Sequence, residues 1–302
     1  MTDRPPLLSV VVLSYARPAY LERALASLIA QPMADREIVV VDNRSASSDA
    51  VAAVVARVPE ATLLQLPDNR GFTGGMNAGM ARARGRYVLL TEDDIVLDPG
   101  CVEALLDQSR ASGDRAVLTG VMLDDGTRRI RCAGGEIVLG PPFQMRVIGA
   151  GDAEAAVAQA PYPVSFGPGA FLFFPHDTLR TLGPFRSEYF MYFEDVELCL
   201  RARRKGIPIV VVPRARALHL PPGGGPASPR LEYHKFKNLL ATYLLHAPLG
   251  TLPSVAARYV ALEALRRLAA GPAMLGAYLR ACGWALVHAP RLWRDRRLPE
   301  HA

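Results

Sequence analysis

The sequence lacks the features that define several large classes of protein. It has only four cysteines in 302 residues, and none of them stands in a CxxC pair. This usage predicts neither a disulfide framework nor a zinc site, and it favours a reducing compartment. No segment is low in complexity and half of the residues are hydrophobic, so we expect a folded chain. No recognisable nucleic-acid-binding module is present, so we predict no nucleic-acid partner.

A clean hydrophobic segment of membrane-spanning length is also missing. Residues 271–290 are apolar, but Arg280 lies at their centre and Gly276 and Gly283 interrupt them, so they predict a poor spanning helix. The N-terminus has a short apolar run that resembles a weak signal peptide. Asp3 and two prolines argue against that interpretation, and we predict that the run is the first strand.

The net charge of +6 is concentrated at one end of the chain. From Leu231 onward there are ten Lys and Arg residues against four Asp and Glu, whereas the first 230 residues are neutral. Such a basic region attracts polyanions or an anionic membrane surface. Two interpretations remain open: an interfacial helix with Trp284 and Trp293 near the headgroups, or a helical cap packed on the core.

Short apolar, β-branched runs alternate with helical patterns along the first part of the chain. LLSVVVLSY (7–15), REIVVVDN (36–43) and RYVLLTEDD (86–94) have this character and predict a parallel α/β sheet covered on both faces. Residues 115–165 are less regular and predict extra strands and loops. The tail from about Ser228 is predicted to be helical, with breaks near four prolines. These are Pro248, Pro253, Pro272 and Pro290.

Polar side chains stand at the ends of the predicted strands. Ser14 and Tyr15 end the first, Asp42 and Asn43 end the second, and residues 92–94 end a later one. Ligands bind beyond the carboxyl ends of the strands in such sheets. Two carboxylates separated by one residue can bind a divalent ion and leave positions for a diphosphate. The alternative is a solvated acidic turn, because adjacent carboxylates resist burial.

Three further features carry chemistry or a structural role. DNRGFTGGMNAG (68–79) opens a helix and lets the backbone approach a ligand, or is simply a turn before a helix. Glu194 and Asp195 follow an aromatic cluster and open a helix, either as favourable first-turn acids or as a general base. His219 follows a buried strand at the same sheet edge, although a lone histidine is more often structural.

In combination, these segments resemble glycosyltransferase family 2, the inverting sugar transferases of the GT-A fold, and especially its rhamnosyl- and galactofuranosyl-transferase-like branch. The resemblance covers residues 7–220 in family order. The matching segments are SVVVLSYARP, EIVVVDNRS, DNRGFTGGMNAGMARARGRYVLLTEDDIVLDPG, GPGAFLFFPHDTLRTLGPF, EYFMYFEDVELCLRARRKG and VVPRARALHL.

The resemblance implies a role for each matching residue. Asp195 matches the family's catalytic base, with Glu194 beside it, and Asp94 matches the last position of the metal motif. Either Glu92 or Asp93 joins Asp94, and a histidine such as His219 completes the metal ligands in some relatives. The residues matching the nucleotide pocket are Ser14, Tyr15, Asp42, Asn69, Gly75, Asn77 and Asp93. Lys237-Asn238 stands where the family has an Arg-Asn pair, and the substitution alters a phosphate contact.

The activity that the resemblance implies is metal-dependent, inverting transfer of a sugar from a dTDP- or UDP-sugar to a glycan or lipid-linked acceptor. Mn²⁺ or Mg²⁺ is the implied cofactor. The expected organisation is a GT-A domain over 1–228, with a nucleotide-binding half to 114 and an acceptor half from 115, and a basic helical region over 229–302. The expected location is cytoplasmic, with the inner face of the plasma membrane as an alternative for the tail. A sugar nucleotidyltransferase and a non-catalytic nucleotide-binding or membrane scaffold are the alternative functions.

Overall fold

The structure is a computed structural model that describes residues 4–221 and 228–297. Those residues contain twelve strands and ten α-helices, together with short 3₁₀ and π turns. The strands are β1 Leu8–Ser14, β2 Arg36–Asp42, β3 Ala61–Gln65, β4 Tyr87–Glu92, β5 Ile95–Leu97, β6 Val117–Asp124, β7 Ile130–Cys132, β8 Gly135–Val138, β9 Gln144–Val147, β10 Tyr162–Val164, β11 Phe171–Pro175 and β12 Ile209–His219. The helices are α1 Pro18–Ile29, α2 Ser48–Val55, α3 Gly71–Met80, α4 Cys101–Ala111, α5 His176–Leu182, α6 Glu194–Arg204, α7 Pro229–His246, α8 Leu252–Ala256, α9 Glu263–Ala269 and α10 Pro272–Arg297.

The central sheet has the strand order β10-β12-β6-β11-β4-β1-β2-β3, with β5 and β7 paired to β12 and β6. β1 pairs in parallel with both β2 and β4, and β2 pairs in parallel with β3. All seven residues of β1 are buried, which is typical of a parallel strand covered by helices on both faces. The predicted α/β class with a mostly parallel sheet is therefore confirmed.

One antiparallel strand in the middle of the sheet positions the second half of the chain. β11 runs antiparallel to β4 on one side and to β6 on the other, and β6 and β12 are parallel to each other. Phe171, which begins β11, pairs with Thr91 near the end of β4. The loop before β11 is thereby brought to the sheet edge where β1, β2 and β4 end.

The C-terminal helices form a second apolar cluster. Phe236, Leu240 and Tyr243 of α7 pack with Tyr278 and other residues of α10. No helix within the described ranges is both long enough and apolar enough to span a bilayer. The predicted helical tail is confirmed over these ranges. The predicted boundary after residue 228 follows directly on residues 222–227, which lie outside the described residues, as do residues 298–302.

The predicted break at Pro290 is wrong, because α10 continues through it. A proline inside a helix removes one backbone hydrogen bond and crowds the preceding turn. Leu292 is nevertheless buried against residues of α7, and packing on both sides of Pro290 holds the helix together. The other predicted breaks are close to helix ends: Pro248 follows α7, Pro253 lies in the first turn of α8, and Pro272 begins α10.

Candidate active site

Two of the three acids at the end of β4, Asp93 and Asp94, are buried beside an arginine side chain. Asp93 has no solvent exposure, and its carboxylate accepts hydrogen bonds from the Ser14 hydroxyl at 2.9 Å and the Tyr15 N–H at 3.0 Å. The Arg17 guanidinium forms ion pairs with both Asp93 and Asp94. Arg17 comes from the turn between β1 and α1. The alternative of a solvated acidic turn is therefore wrong for these two carboxylates.

Asp94 and His219 are brought together by the pairing of two short strands. His219 pairs with Ile95 in the antiparallel β5–β12 ladder, which places it beside Asp94. The His219 Nε2 lies 3.4 Å from Asp94 Oδ2, and the same oxygen accepts a 2.7 Å hydrogen bond from Arg17 Nη1. The Asp94 Oδ1 and His219 Nδ1 atoms are buried without a hydrogen-bond partner.

The three acids titrate differently because their surroundings differ. Burial, reinforced by the charges of Asp94 and Asp93, raises the pKa of Glu92 to about 8. Burial also raises the pKa of Asp93 to about 6, although Arg17 and two hydrogen bonds oppose it. Burial acts upward on Asp94 as well, but His219 and Arg17 outweigh it and lower its pKa. Asp94 is therefore the acid that stays ionised most readily.

The donor set is compatible with a divalent cation that takes most of its ligands from substrate. Within residues 4–221 and 228–297, no group of three or more His, Cys, Asp or Glu side chains could hold a metal ion. Glu92 is thus not placed as a third ligand beside Asp94 and His219. A carboxylate oxygen and an imidazole still fit Mg²⁺ or Mn²⁺, because such ions bind proteins through one or two side chains and complete their shell with phosphate oxygens and water.

A second pair of acids begins α6. The Asp195 carboxylate accepts hydrogen bonds from the Gly169 N–H at 3.2 Å and the Val196 N–H at 2.8 Å. Burial raises the pKa of Asp195 despite these bonds. Glu194 is buried, its Oε2 has no partner, and burial and then Asp195 raise its pKa well above the ordinary value. Asp195 is the more favourable of the two to carry charge, and Glu194 the more favourable to stay protonated.

The two acid groups lie in one electrostatic environment. The charge of Asp195 contributes to the raised pKa of Glu92, and Glu92 contributes to that of Glu194. Carboxylates influence one another in this way only when they are close or share a region of low dielectric. The antiparallel pairing of β11 with β4 explains the proximity, because it brings Gly169, which contacts Asp195, next to the end of β4.

The segment before α6 is held by α7 in a sparsely populated conformation. Phe190, Tyr192 and Phe193 have positive φ angles between 63° and 69°. The Asn238 side-chain amide donates hydrogen bonds to the carbonyls of Tyr189 and Met191 at 2.8 Å and of Tyr192 at 2.6 Å. Asn238 therefore stabilises a backbone that few non-glycine residues adopt.

Lys237 and the aromatic rings also have structural contacts. Lys237 is 3% exposed, donates a hydrogen bond to the Glu188 carbonyl and lies over the Trp284 ring. In this structure the Lys237 ammonium is therefore engaged by groups of the protein. Phe190 stacks on His234, and Phe193 packs against Phe143, so these rings join the segment to its neighbours.

The residues predicted for the nucleotide pocket fall into two groups. Ser14, Tyr15 and Asp42 lie at the adjacent ends of β1 and β2, and Asp42 Oδ2 is buried without a partner. Asn69 and Asn77 make contacts within the protein instead. Asn69 accepts from the Gly71 N–H at 2.9 Å.

Gly75 and Asn77 hold α3 in place. Asn77 donates to the Phe185 carbonyl at 2.8 Å and accepts from its N–H at 2.9 Å. A Cβ atom on Gly75 would lie 2.4 Å from Leu13 Cδ1, so this glycine allows α3 to approach β1. We expected Gly75 to let the backbone approach a ligand. In the structure, it lets the backbone of α3 approach a core side chain. The sequence offered no signal for Arg17. Asn43, predicted as a polar residue at the end of the second strand, donates to the Gly71 carbonyl at 2.9 Å and so joins the end of β2 to α3.

This fold and this arrangement of acids at one sheet edge define a glycosyltransferase of the GT-A type. The model of the family described as glycosyl transferase family 2 matches residues 9–135. These 127 residues include β1 to β7 and the acid block. The chain is a glycosyltransferase.

The chain is similar to a rhamnosyltransferase and to a protein of succinoglycan biosynthesis. The chain is 29% identical over 259 residues to the N-acetylglucosaminyl-diphospho-decaprenol L-rhamnosyltransferase of Mycobacterium tuberculosis, covering 78% of this chain and 83% of that protein. It is 35% identical over 113 residues to the succinoglycan biosynthesis protein ExoO of Rhizobium meliloti, which covers 37% of this chain and 32% of that protein.

Two solved structures share the fold. GalNAc-T7 with UDP, GalNAc and Mn²⁺ superposes with a TM-score of 0.64 at 15% identity, over 80% of this chain and 49% of that one. The mannosyltransferase PcManGT from Pyrobaculum calidifontis, in complex with GDP-Man and Mn²⁺, superposes with a TM-score of 0.57 at 18% identity, over 97% of this chain and 85% of that one. At these identities the likeness concerns the fold.

Proposed function

We propose that the protein transfers a sugar from a nucleoside-diphosphate donor to a hydroxyl group of a glycan or lipid-linked acceptor, with inversion at the anomeric carbon. The single observation that carries this proposal is the convergence of two differently tuned acid groups: Asp94 with His219, and Asp195 at the start of α6. The first group suits the diphosphate end of the donor and the second suits the acceptor hydroxyl.

Asp195 is proposed as the general base. Its carboxylate is oriented by two N–H donors and by the N-terminus of α6, which favours the ionised form. It removes the proton of the acceptor hydroxyl while that oxygen forms a bond to the anomeric carbon. The bond between the anomeric carbon and the diphosphate oxygen breaks, and the diphosphate leaves with the electron pair. A single displacement of this kind inverts the configuration.

Asp94 and His219 are proposed as the ligands of Mn²⁺ or Mg²⁺. When bound, the cation neutralises the charge that develops on the departing diphosphate. Ser14 and Tyr15 hold Asp93 in place, and the unpartnered Asp42 Oδ2 is proposed to contact the nucleoside. Glu194 stays protonated beside Asp195 and prevents a second negative charge from accumulating there.

The rhamnosyltransferase relative favours a deoxyhexose donor and a lipid-diphosphate acceptor. A dTDP-linked rhamnose is therefore the first donor to test, with a UDP-linked hexose as the second. A thermal-shift screen of nucleotide sugars with and without Mn²⁺ identifies the donor, because a ligand that binds only the folded state raises the Tm.

The test of the base is Asp195→Asn, which keeps the shape of the side chain and removes its basicity. We expect turnover to fall by about 10²- to 10⁴-fold, while calorimetric binding of the donor with Mn²⁺ stays within about threefold of wild type. Glu194→Gln is the matched control, because a protonated Glu194 loses little by the change. Near-normal turnover of Asp195→Asn would remove Asp195 from this role.

A further inference from the structure

The two faces of α10 have an unusual distribution of side chains. The inner face packs on α7 through Ala277, Tyr278, Ala281 and Ala285, all of which are buried. The opposite face is not polar, as it would be on an ordinary surface helix. It exposes Leu279, Leu286 and Val287, the last two with exposed fractions of 75% and 76%. The helical cap expected as one alternative is thus present, but it explains only the inner face.

The preceding helix adds a second row of exposed apolar side chains. Leu262, Leu265 and Leu268 are spaced by three residues at and along α9, and each is more than half exposed. We call these three residues, together with Leu279, Leu286 and Val287, the outer apolar surface. Across the described ranges eleven large hydrophobic residues are exposed, and six of them belong to this surface. Such a concentration indicates a surface that meets an apolar partner.

The charges around the outer apolar surface are of one sign. Arg266, Arg280, Arg291 and Arg294 are exposed on α9 and α10. Most of these charges are not balanced by the acids of residues 229–297. Glu232 and Glu263 are buried and ion-paired with Arg267, and Glu263 also pairs with Arg266, so that Arg280, Arg291 and Arg294 are the arginines of this set without such a pair. Asp295 forms an ion pair with Arg186 of the GT-A domain.

We infer that the outer apolar surface lies in the headgroup region of an anionic lipid bilayer. Exposed leucines flanked by arginines, with no exposed acid beside them in residues 229–297, are the combination that binds such an interface. A second copy of the chain is a poorer partner, because a two-fold interface would place these arginines opposite one another without acids to pair with them. The reason for such a contact rests on the proposed function, since a lipid-linked acceptor lies in the same plane.

Trp284, one of the two tryptophans expected near the headgroups, does not belong to the outer apolar surface. Trp284 stacks on His288 and lies against Lys237 of α7, so its ring is committed to the inner face. The outward side chains next to it in the helix are Leu286 and Val287. These two are the most exposed members of the surface and are expected to enter the bilayer most deeply.

The test compares the full chain with the double variant Leu286→Gln/Val287→Gln in vesicle co-sedimentation. Vesicles of phosphatidylcholine with phosphatidylglycerol are compared with vesicles of phosphatidylcholine alone. We expect wild type to bind the anionic vesicles, less at high salt, and the double variant to bind about tenfold more weakly or worse. The matched control is Ile29→Gln/Val138→Gln, which removes two exposed apolar side chains elsewhere and should bind as wild type does.

Three results would overturn the inference: no vesicle binding by wild type, equal binding by wild type and the double variant, or equal loss in the control. Light scattering adds a fourth, namely a wild-type dimer that the double variant converts to a monomer, which would assign the surface to a second copy. The double variant should keep Mn²⁺-dependent binding of UDP or dTDP. A failure of vesicle binding is therefore separable from a failure of the proposed function.

Discussion

At the scale of single residues, the acid block is stabilised by a cation from the protein itself. Asp93 and Asp94 are adjacent like charges with almost no exposure, an arrangement that is costly unless each charge is paired. Arg17 pairs with both, from a position 76 and 77 residues earlier in the chain. The fold therefore holds these carboxylates in place before any ligand arrives, and Asp94 still has one oxygen without a partner.

Glu197 is a buried acid outside the acid block, and its negative charge stabilises the fold. Glu197 of α6 forms an ion pair with Arg201 at 2.8 Å, and its carboxylate lies 3.2 Å from the Nε2 atom of His246 of α7. Burial opposes the charge, but Arg201 and His246 outweigh it and lower the pKa of Glu197 from 4.5 to about 2. This pair of contacts joins the helix that carries Asp195 to the C-terminal helices.

The shifted pKa predicts a pH dependence of stability. Because the folded-state pKa is the lower one, the ionised Glu197 stabilises the fold by about 3 kcal/mol above pH 4.5, and this contribution disappears as the pH falls toward 2. Glu197→Gln should therefore be less stable than wild type at pH 7. The difference, measured by urea unfolding, should stay constant down to about pH 5 and shrink below it. A difference that is independent of pH down to pH 3 would contradict the prediction.

At the scale of elements, α7 determines the conformation of the segment that aims Asp195. Three non-glycine residues with positive φ precede α6, and Asn238 binds three carbonyls of that segment. Such strain persists only where surrounding contacts hold it in place. Asn238 does not touch the reacting groups in this arrangement, so its proposed role is to position the base.

Asn238→Ala should therefore affect the rate more than donor binding. Displacement of a catalytic group by about 1 Å costs up to about 100-fold in rate, so we expect kcat to fall by about tenfold to 100-fold with the donor KM little changed. The matched control is Thr242→Val, one turn along α7, which removes the hydroxyl bonded to Tyr189 but leaves the three carbonyl contacts intact. If both variants lost stability and activity in proportion, Asn238 would have a structural role only.

At the scale of the whole molecule, the sequence predicted the alternating strands and helices of the sheet and the polar residues at the strand ends. β1, β2 and β4 are recognisable because parallel strands buried on both faces are almost continuously apolar. The polar residues that end these strands converge because the carboxyl ends of parallel strands lie at the same edge of the sheet. The insertion of β11 between β4 and β6 was not predictable, because strand order is set by contacts far apart in the chain. Arg17 and Asn238 were missed as partners of the acids and of the strained segment, since nothing local marks an arginine or an asparagine for such a contact.

The central claim is that Asp94, at the end of β4, helps to bind the cation that holds the donor diphosphate at the sheet edge where Asp195 also lies. The most direct measurement is calorimetric titration of UDP or dTDP, with and without Mn²⁺, into wild type, Asp94→Asn and Asp195→Asn. We predict Mn²⁺-dependent binding that Asp94→Asn weakens by about tenfold or more and Asp195→Asn leaves nearly unchanged. Binding that is independent of Mn²⁺, or that Asp94→Asn leaves at the wild-type affinity, would contradict the account.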